Sequence, residues 1–279
     1  MQNIVSMKWT LARMYEPDLV IADCRFWLGK PDAGKAAYDE DHIPGAVYLD
    51  LERDLSAPVG EHGGRHPLPE ADALAASLSK AGIGNGTRVV AYDDQGGAMA
   101  SRLWWLLKYM GYEEVYVMDE GYSAWKRKGY PVSAEQKIIV PASFAARPRP
   151  EMVADVERVR EIVSGGGALL VDSREAPRYR GEVEPIDRVA GHIPGAVNRF
   201  WSEGRRADGT WKSPEEQRER FADLPRDRDI VVYCGSGVTA TPNVLALREA
   251  GFDRVKLYAG SWSDWICDPS NPIAVGDEE

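Results

Sequence analysis

Two kinds of stretch alternate along this chain: short runs that are apolar at almost every position, and longer ones whose apolar residues recur on one helical face. The short runs are Leu19–Arg25, Val89–Asp93, Glu114–Met118, Ala168–Arg174, Ile230–Cys234 and Arg254–Tyr258, with Val47–Leu49 and Val197–Phe200 as shorter pieces. Each is bounded by breakers, such as Glu16-Pro17-Asp18 or Gly165-Gly166-Gly167, so each reads as a strand buried on both faces. Helical spacing covers Trp9–Tyr15, Glu70–Ala81, Ala98–Met110, Val153–Val163, Pro214–Ala222 and Thr241–Ala250. Ser213 and Pro214 stand where an N-cap and a first helical residue belong. Alternating strands and helices predict an α/β fold: two tandem domains, each a mainly parallel sheet with helices on both faces.

The order of elements runs twice, and so does one turn. Asp41-His42-Ile43-Pro44-Gly45-Ala46-Val47 returns as Gly191-His192-Ile193-Pro194-Gly195-Ala196-Val197. A duplicated unit predicts domains over 1–133 and 152–279. Residues 134–151, which include Pro141, Pro148 and Pro150 without clean periodicity, read as a surface linker. The halves differ at one place. The strand Ile230–Tyr233 leads into Cys234-Gly235-Ser236-Gly237-Val238-Thr239, whereas Val89–Tyr92 leads into Asp93. One half therefore carries a nucleophile and the other is expected to be catalytically inactive.

Composition narrows the classes. A net charge of −10 argues against nucleic-acid or anionic-membrane partners, which reward a basic surface. No apolar stretch approaches the roughly 20 residues that span a bilayer. Cys24, Cys234 and Cys267 are scattered, with neither disulfide nor zinc spacing, so no metal or cofactor is expected and a reducing, cytoplasmic setting fits. His62 and His66 sit among Gly63, Gly64 and Pro67 and read as surface-loop residues, not ligands on a helix face.

The thiol has a setting of its own. A helix starting near Thr241 turns its unpaired amides and positive dipole end toward the loop. Gly235 and Gly237 let the amides of Gly235, Ser236, Gly237, Val238 and Thr239 point inward as a nest. Such a cradle favours the thiolate, the nucleophilic form, and would also hold a persulfide. The plainer alternative is a small buried hydrophobe at a strand end, which is how Cys24 reads. Cys267 has no comparable cradle.

The paired His-Ile-Pro-Gly-Ala turns, Cys234-Gly235-Ser236-Gly237-Val238-Thr239 and Gly260-Ser261-Trp262-Ser263-Asp264-Trp265 resemble the tandem-domain rhodanese sulfurtransferases over nearly the whole chain. The resemblance implies a ping-pong reaction. Cys234 takes sulfane sulfur from a small-molecule donor, becomes a persulfide and passes the sulfur to a thiol (thioredoxin, glutathione or similar) or to cyanide. A neutral loop after the cysteine goes with 3-mercaptopyruvate in that family, and basic loops with thiosulfate; thiosulfate remains the alternative donor here. Arg178 matches an arginine that holds the donor, and a planar fork suits a carboxylate. A second family arginine is replaced by Ile186, and Arg188 is the nearest substitute. His42 matches a histidine proposed to act with Ser236 in a relay, although hydrogen bonding to its own turn, as for its duplicate His192, is the reading slightly preferred. A cysteine phosphatase would need an arginine where Ala240 stands. A thiol sensor without catalysis would not need the rest of the site.

Overall fold

In the computed structural model, which describes residues 3–278, each half of the sequence builds a parallel sheet. The first contains β1 (Ile4–Val5), β2 (Leu19–Asp23), β3 (Val47–Tyr48), β4 (Arg88–Tyr92) and β5 (Val115–Met118), in the order β1-β5-β4-β2-β3. The second contains β6 (Leu169–Asp172), β7 (Ala196–Asn198), β8 (Ile230–Tyr233) and β9 (Val255–Leu257), in the order β7-β6-β8-β9. Every neighbouring pair is parallel. The interior strands β2 and β8 are buried along their whole length, as their unbroken apolar runs require.

Six helices fall where the spacing puts them: α1 (Met7–Arg13), α3 (Ala71–Lys80), α4 (Ala98–Tyr109), α6 (Val156–Val163), α8 (Pro214–Arg220) and α9 (Thr241–Glu249). Ser213 caps α8, accepting from the Glu216 amide while Glu216 accepts from its own. Four short helices were not expected: α2 (Ala33–Glu40), α5 (Tyr122–Arg127), α7 (Ala176–Tyr179) and α10 (Ser261–Trp265). α2 and α7 lie in stretches whose polarity reads as loop. α5 and α10 are tied down by Trp125 and Trp265, both wholly buried.

The repeated turn works identically in both halves. His42 Nδ1 lies 2.7 Å from the Tyr38 carbonyl and His192 Nδ1 lies 2.7 Å from the Tyr179 carbonyl. Each ring stacks on that tyrosine, with centroids 4.0 Å and 3.8 Å apart. Strands β2 and β6 end in the buried ion pairs Asp23–Arg25 and Asp172–Arg174.

The chain divides into two compact units, and they do not follow the sequence halves. One holds the chain up to Ala57, Pro69–Arg149 and Ala207–Trp211; the other holds Pro58–Leu68, Pro150–Arg206 and Lys212–Glu279. The stretch expected as a linker lies against the first unit, where Arg147 and Arg149 amides donate to the Met110 and Tyr109 carbonyls. In the second unit Tyr258, Trp262 and Trp265 pack into one core with Val231, Tyr233 and Ile193.

Candidate active site

Strand β8 delivers Cys234 to the carboxyl end of an interior parallel strand, the position from which open α/β sheets act on ligands. The residue is buried. Its backbone is fixed from the neighbouring α10: the Cys234 amide donates to Ser261 Oγ at 3.1 Å, and its carbonyl accepts from the Trp262 amide at 3.0 Å. The Ser263 amide holds the next carbonyl, that of Gly235, at 2.9 Å. Ser261 adopts φ 55°, a left-handed conformation costly for a non-glycine residue, and its hydroxyl bonds to the Cys234 amide and the Tyr258 carbonyl offset that cost. Gly237 has φ +75°, and a Cβ there would lie 2.1 Å from the Ala259 carbonyl oxygen, so only glycine fits that corner of the loop.

The loop is neutral, but its surroundings are not. Arg178, on α7, donates from Nε to Glu184 at 3.1 Å and from Nη2 to Glu184 at 2.6 Å and Asp187 at 3.3 Å. Burial opposes ionisation of Glu184, but hydrogen bonds from Arg178 and from the Asp187 and Ile186 amides outweigh it and hold its carboxyl below the usual range. Burial pushes Asp187 the other way, upward, against the pull of Arg65 and Arg178.

Arg65 and its neighbours arrive from Pro58–Leu68, the stretch of the first repeat that packs in this unit. The Gly63 amide donates to Asp264 Oδ1 at 2.8 Å and the Arg65 amide to Ser263 Oγ at 3.1 Å. Gly64 has φ +74°, and a Cβ there would sit 2.3 Å from the Gly260 carbonyl oxygen, so this loop lies directly on the start of α10. It presents two side chains. Arg65 Nη1 pairs with Asp187, and His66 Nδ1 lies 2.8 Å from Ser236 Oγ. His66 is buried, against the expectation of a surface-loop residue.

The remaining expected residues lie elsewhere. His42 is buried in the first unit with its ring nitrogens at the Tyr38 and Glu135 carbonyls, and the histidine beside Ser236 is His66, which corrects the relay reading. Arg188, expected as the nearest substitute for the second donor arginine, donates from Nη2 to the Ile266 carbonyl at 2.6 Å. Ile186 is exposed. Cys24 is buried, with burial pushing its thiol up, and Cys267 is exposed, its sulfur near the Ser263 carbonyl. No group of histidine, cysteine and carboxylate side chains among the described residues could hold a metal ion.

The corresponding loop of the first repeat is filled by its own residue. Asp93 Oδ1 accepts from the Gln95 and Gly97 amides at 2.9 and 2.8 Å, and Oδ2 from the Met99 and Ala100 amides at 2.8 and 2.9 Å. A carboxylate thus occupies the anion position of that nest.

No helix among the described residues is long and apolar enough to cross a membrane. The rhodanese-like domain family matches residues 6–128 and again 155–267. The chain is 47% identical over 280 residues, 99% of each chain, to a Pseudomonas aeruginosa protein named probable 3-mercaptopyruvate sulfurtransferase. It is 31% identical to the Arabidopsis thaliana protein named thiosulfate/3-mercaptopyruvate sulfurtransferase 1, mitochondrial, over 98% of this chain and 78% of that one. Its fold matches the Escherichia coli 3-mercaptopyruvate sulfotransferase structure with a TM-score of 0.81 and 33% identity, over 94% of this chain and all of that one. Two family matches, each with its own parallel sheet, and a relative alike over 99% of both chains lead to one assignment: the chain belongs to the rhodanese-like family and is a two-domain sulfurtransferase.

Proposed function

We propose that this enzyme moves sulfane sulfur from 3-mercaptopyruvate through a Cys234 persulfide to a thiol acceptor or to cyanide. In the first half-reaction the Cys234 thiolate attacks the donor sulfur, and the C–S bond breaks. Its electron pair passes to carbon as the pyruvate enolate, which takes a proton and leaves as pyruvate. In the second half-reaction an acceptor thiolate attacks the outer sulfur, the S–S bond breaks, and Cys234 recovers its electron pair. The amides of Gly235, Ser236, Gly237, Val238 and Thr239 would stabilise the negative outer sulfur, and Arg178 the donor carboxylate. Ser236, coupled to His66, would carry the proton that the enolate takes.

The observation that carries this reading is the 2.8 Å contact of Ser236 with His66 two positions along from the buried Cys234. A neutral loop offers little Coulomb attraction to thiosulfate, a dianion, and a proton relay has work to do only when the leaving group is a carbanion. Relatives named for mercaptopyruvate support the same donor.

Steady-state turnover with both donors side by side tests the assignment, and kcat/KM is expected to be higher for 3-mercaptopyruvate. Donor-treated enzyme should gain about 32 Da, one sulfur atom, on the Cys234 peptide alone. Cys234→Ser should abolish transfer, while Cys24→Ser and Cys267→Ser keep most of it. A preference for thiosulfate would overturn the donor, and activity surviving in Cys234→Ser would overturn the site.

A further inference from the structure

Arg65 lies closer to the cysteine loop than Arg178 does. A Cβ added to Gly235 would meet Arg65 Nη2 at 2.9 Å, Arg178 Nη2 at 3.6 Å and Arg178 Nη1 at 3.8 Å. Two guanidinium groups therefore flank the residue that follows Cys234. They are joined from behind by one carboxylate: Asp187 Oδ1 takes Arg65 through Nη1, and Asp187 Oδ2 takes Arg178 through Nη2. Arg65 Nη2 is not used in that pair and is the atom that faces the loop. Arg65 Nε is buried without a hydrogen-bond partner, so the guanidinium has donors beyond those Asp187 engages.

Its placement is built and not incidental. The Arg65 amide is held by Ser263, Gly63 and Gly64 seat the loop on α10, and His66 is fixed at Ser236. An arginine whose backbone is clamped on both sides and whose fork is aligned by a buried carboxylate is preorganised to receive an anion.

We infer that Arg65 is a donor-binding residue: with Arg178 it forms a two-guanidinium clamp over Gly235 that grips the carboxylate of a 2-oxo acid donor and presents the donor's sulfur to Cys234. The inference rests on the mercaptopyruvate reading above. Arg65 acts on binding and not on the proton transfer, because its Nη2 lies at the loop's glycine while Ser236 is engaged by His66. The residue comes from the repeat that lacks a nucleophile.

The test uses the full-length enzyme with Arg65→Ala, Arg65→Gln and Arg65→Lys. Initial rates with 3-mercaptopyruvate give KM and kcat, and pyruvate serves as a competitive inhibitor that shares the carboxylate without the transferable sulfur. Loss of a charge-assisted hydrogen bond to the carboxylate should raise KM and the pyruvate inhibition constant together, by about 10- to 100-fold in Ala and Gln, with kcat within about 3-fold. Lysine keeps the charge but not the fork and should fall between. Thermal melting of the Gln variant checks that Asp187, left without one cation, has not unfolded the unit. Unchanged KM and pyruvate inhibition, or a fall in kcat alone, would overturn the role of Arg65 and leave it a strut for His66. Failure of the parent reading looks different: wild-type enzyme would favour thiosulfate and be uninhibited by pyruvate.

Discussion

Replacing Asp93 should destabilise the first unit through backbone groups that the mutation never touches. The carboxylate holds four amides at 2.8–2.9 Å. At about 1.5–3 kcal/mol for a hydrogen bond to a charged group, four bonds would sum to about 6–12 kcal/mol, but that sum is too large. Burial raises the Asp93 carboxyl, and the amides do not fully offset it, so part of their strength is spent on desolvation. Moreover, Gln95 and Met99 are only partly buried and can turn their amides to water, whereas Gly97 and Ala100 are buried. Two orphaned donors at about 1–3 kcal/mol each put the loss for Asp93→Ala at about 2–6 kcal/mol. Asp93→Asn keeps one acceptor oxygen but turns an NH2 group toward two amides, so it should recover little of this. Urea unfolding followed by tryptophan fluorescence reads the effect. With a slope of about 2 kcal/mol per molar, the first-unit midpoint should fall by at least about 1 M. A midpoint within about 0.3 M of the parent, where a 2 kcal/mol loss is excluded, would refute the idea that the carboxylate holds the loop.

Ser236→Ala and His66→Gln should each lower kcat with 3-mercaptopyruvate by about 10- to 1000-fold, and the double variant should cost scarcely more than either, since the two act as a unit. Gly64→Ala should lower kcat/KM far more than it lowers the melting temperature, because relieving the 2.3 Å approach to Gly260 shifts Arg65 and His66 while the core stays intact. Glu184 has a folded carboxyl held below its unfolded value, so its contribution is present above about pH 4.3 and is lost as pH falls through the folded value. Glu184→Gln should therefore lower stability by about 1–3 kcal/mol at pH 7 and by less at pH 3.5; a gap independent of pH, measured by urea titration at both, would contradict the ion-pair account.

The fold was legible because its strongest signals are local and occur twice. Apolar runs such as Leu19–Ala22 and Ile230–Tyr233 are short, β-branched and bounded by breakers, which selects buried strands over helix, and the His-Ile-Pro-Gly turns mark matching points in both halves. Cys234 and its loop were legible for the same reason, since the strand-loop-helix context is contiguous. What failed was whatever depends on distant chain. β1 is two residues long, too short for a pattern, and exists because β5 offers it an edge. The glycines around His66 suggested exposure, whereas Gly64 lets the backbone lie against α10 and the Gly63 amide donates to Asp264 on that helix. One signal was available: the segment between β3 and α3, residues 49–70, is longer than its counterpart at 199–213 and alone carries the Arg65-His66 pair. Such an asymmetry in a duplicated chain marks where the two copies differ in what they supply to the site.

The assignment of Pro58–Leu68 to the second unit and Ala207–Trp211 to the first has a bearing on the history of the duplication. Had each copy kept all its own parts, the copy with Asp93 would be dispensable, and a deletion could return the gene to half its length. Because each copy has lent the other a segment, neither half of the gene encodes a finished object. A clone beginning at residue 152 would keep Cys234 and lose Arg65 and His66. Removing the repeat without a nucleophile would therefore take two side chains of the candidate site with it, together with the backbone contacts that seat them on α10.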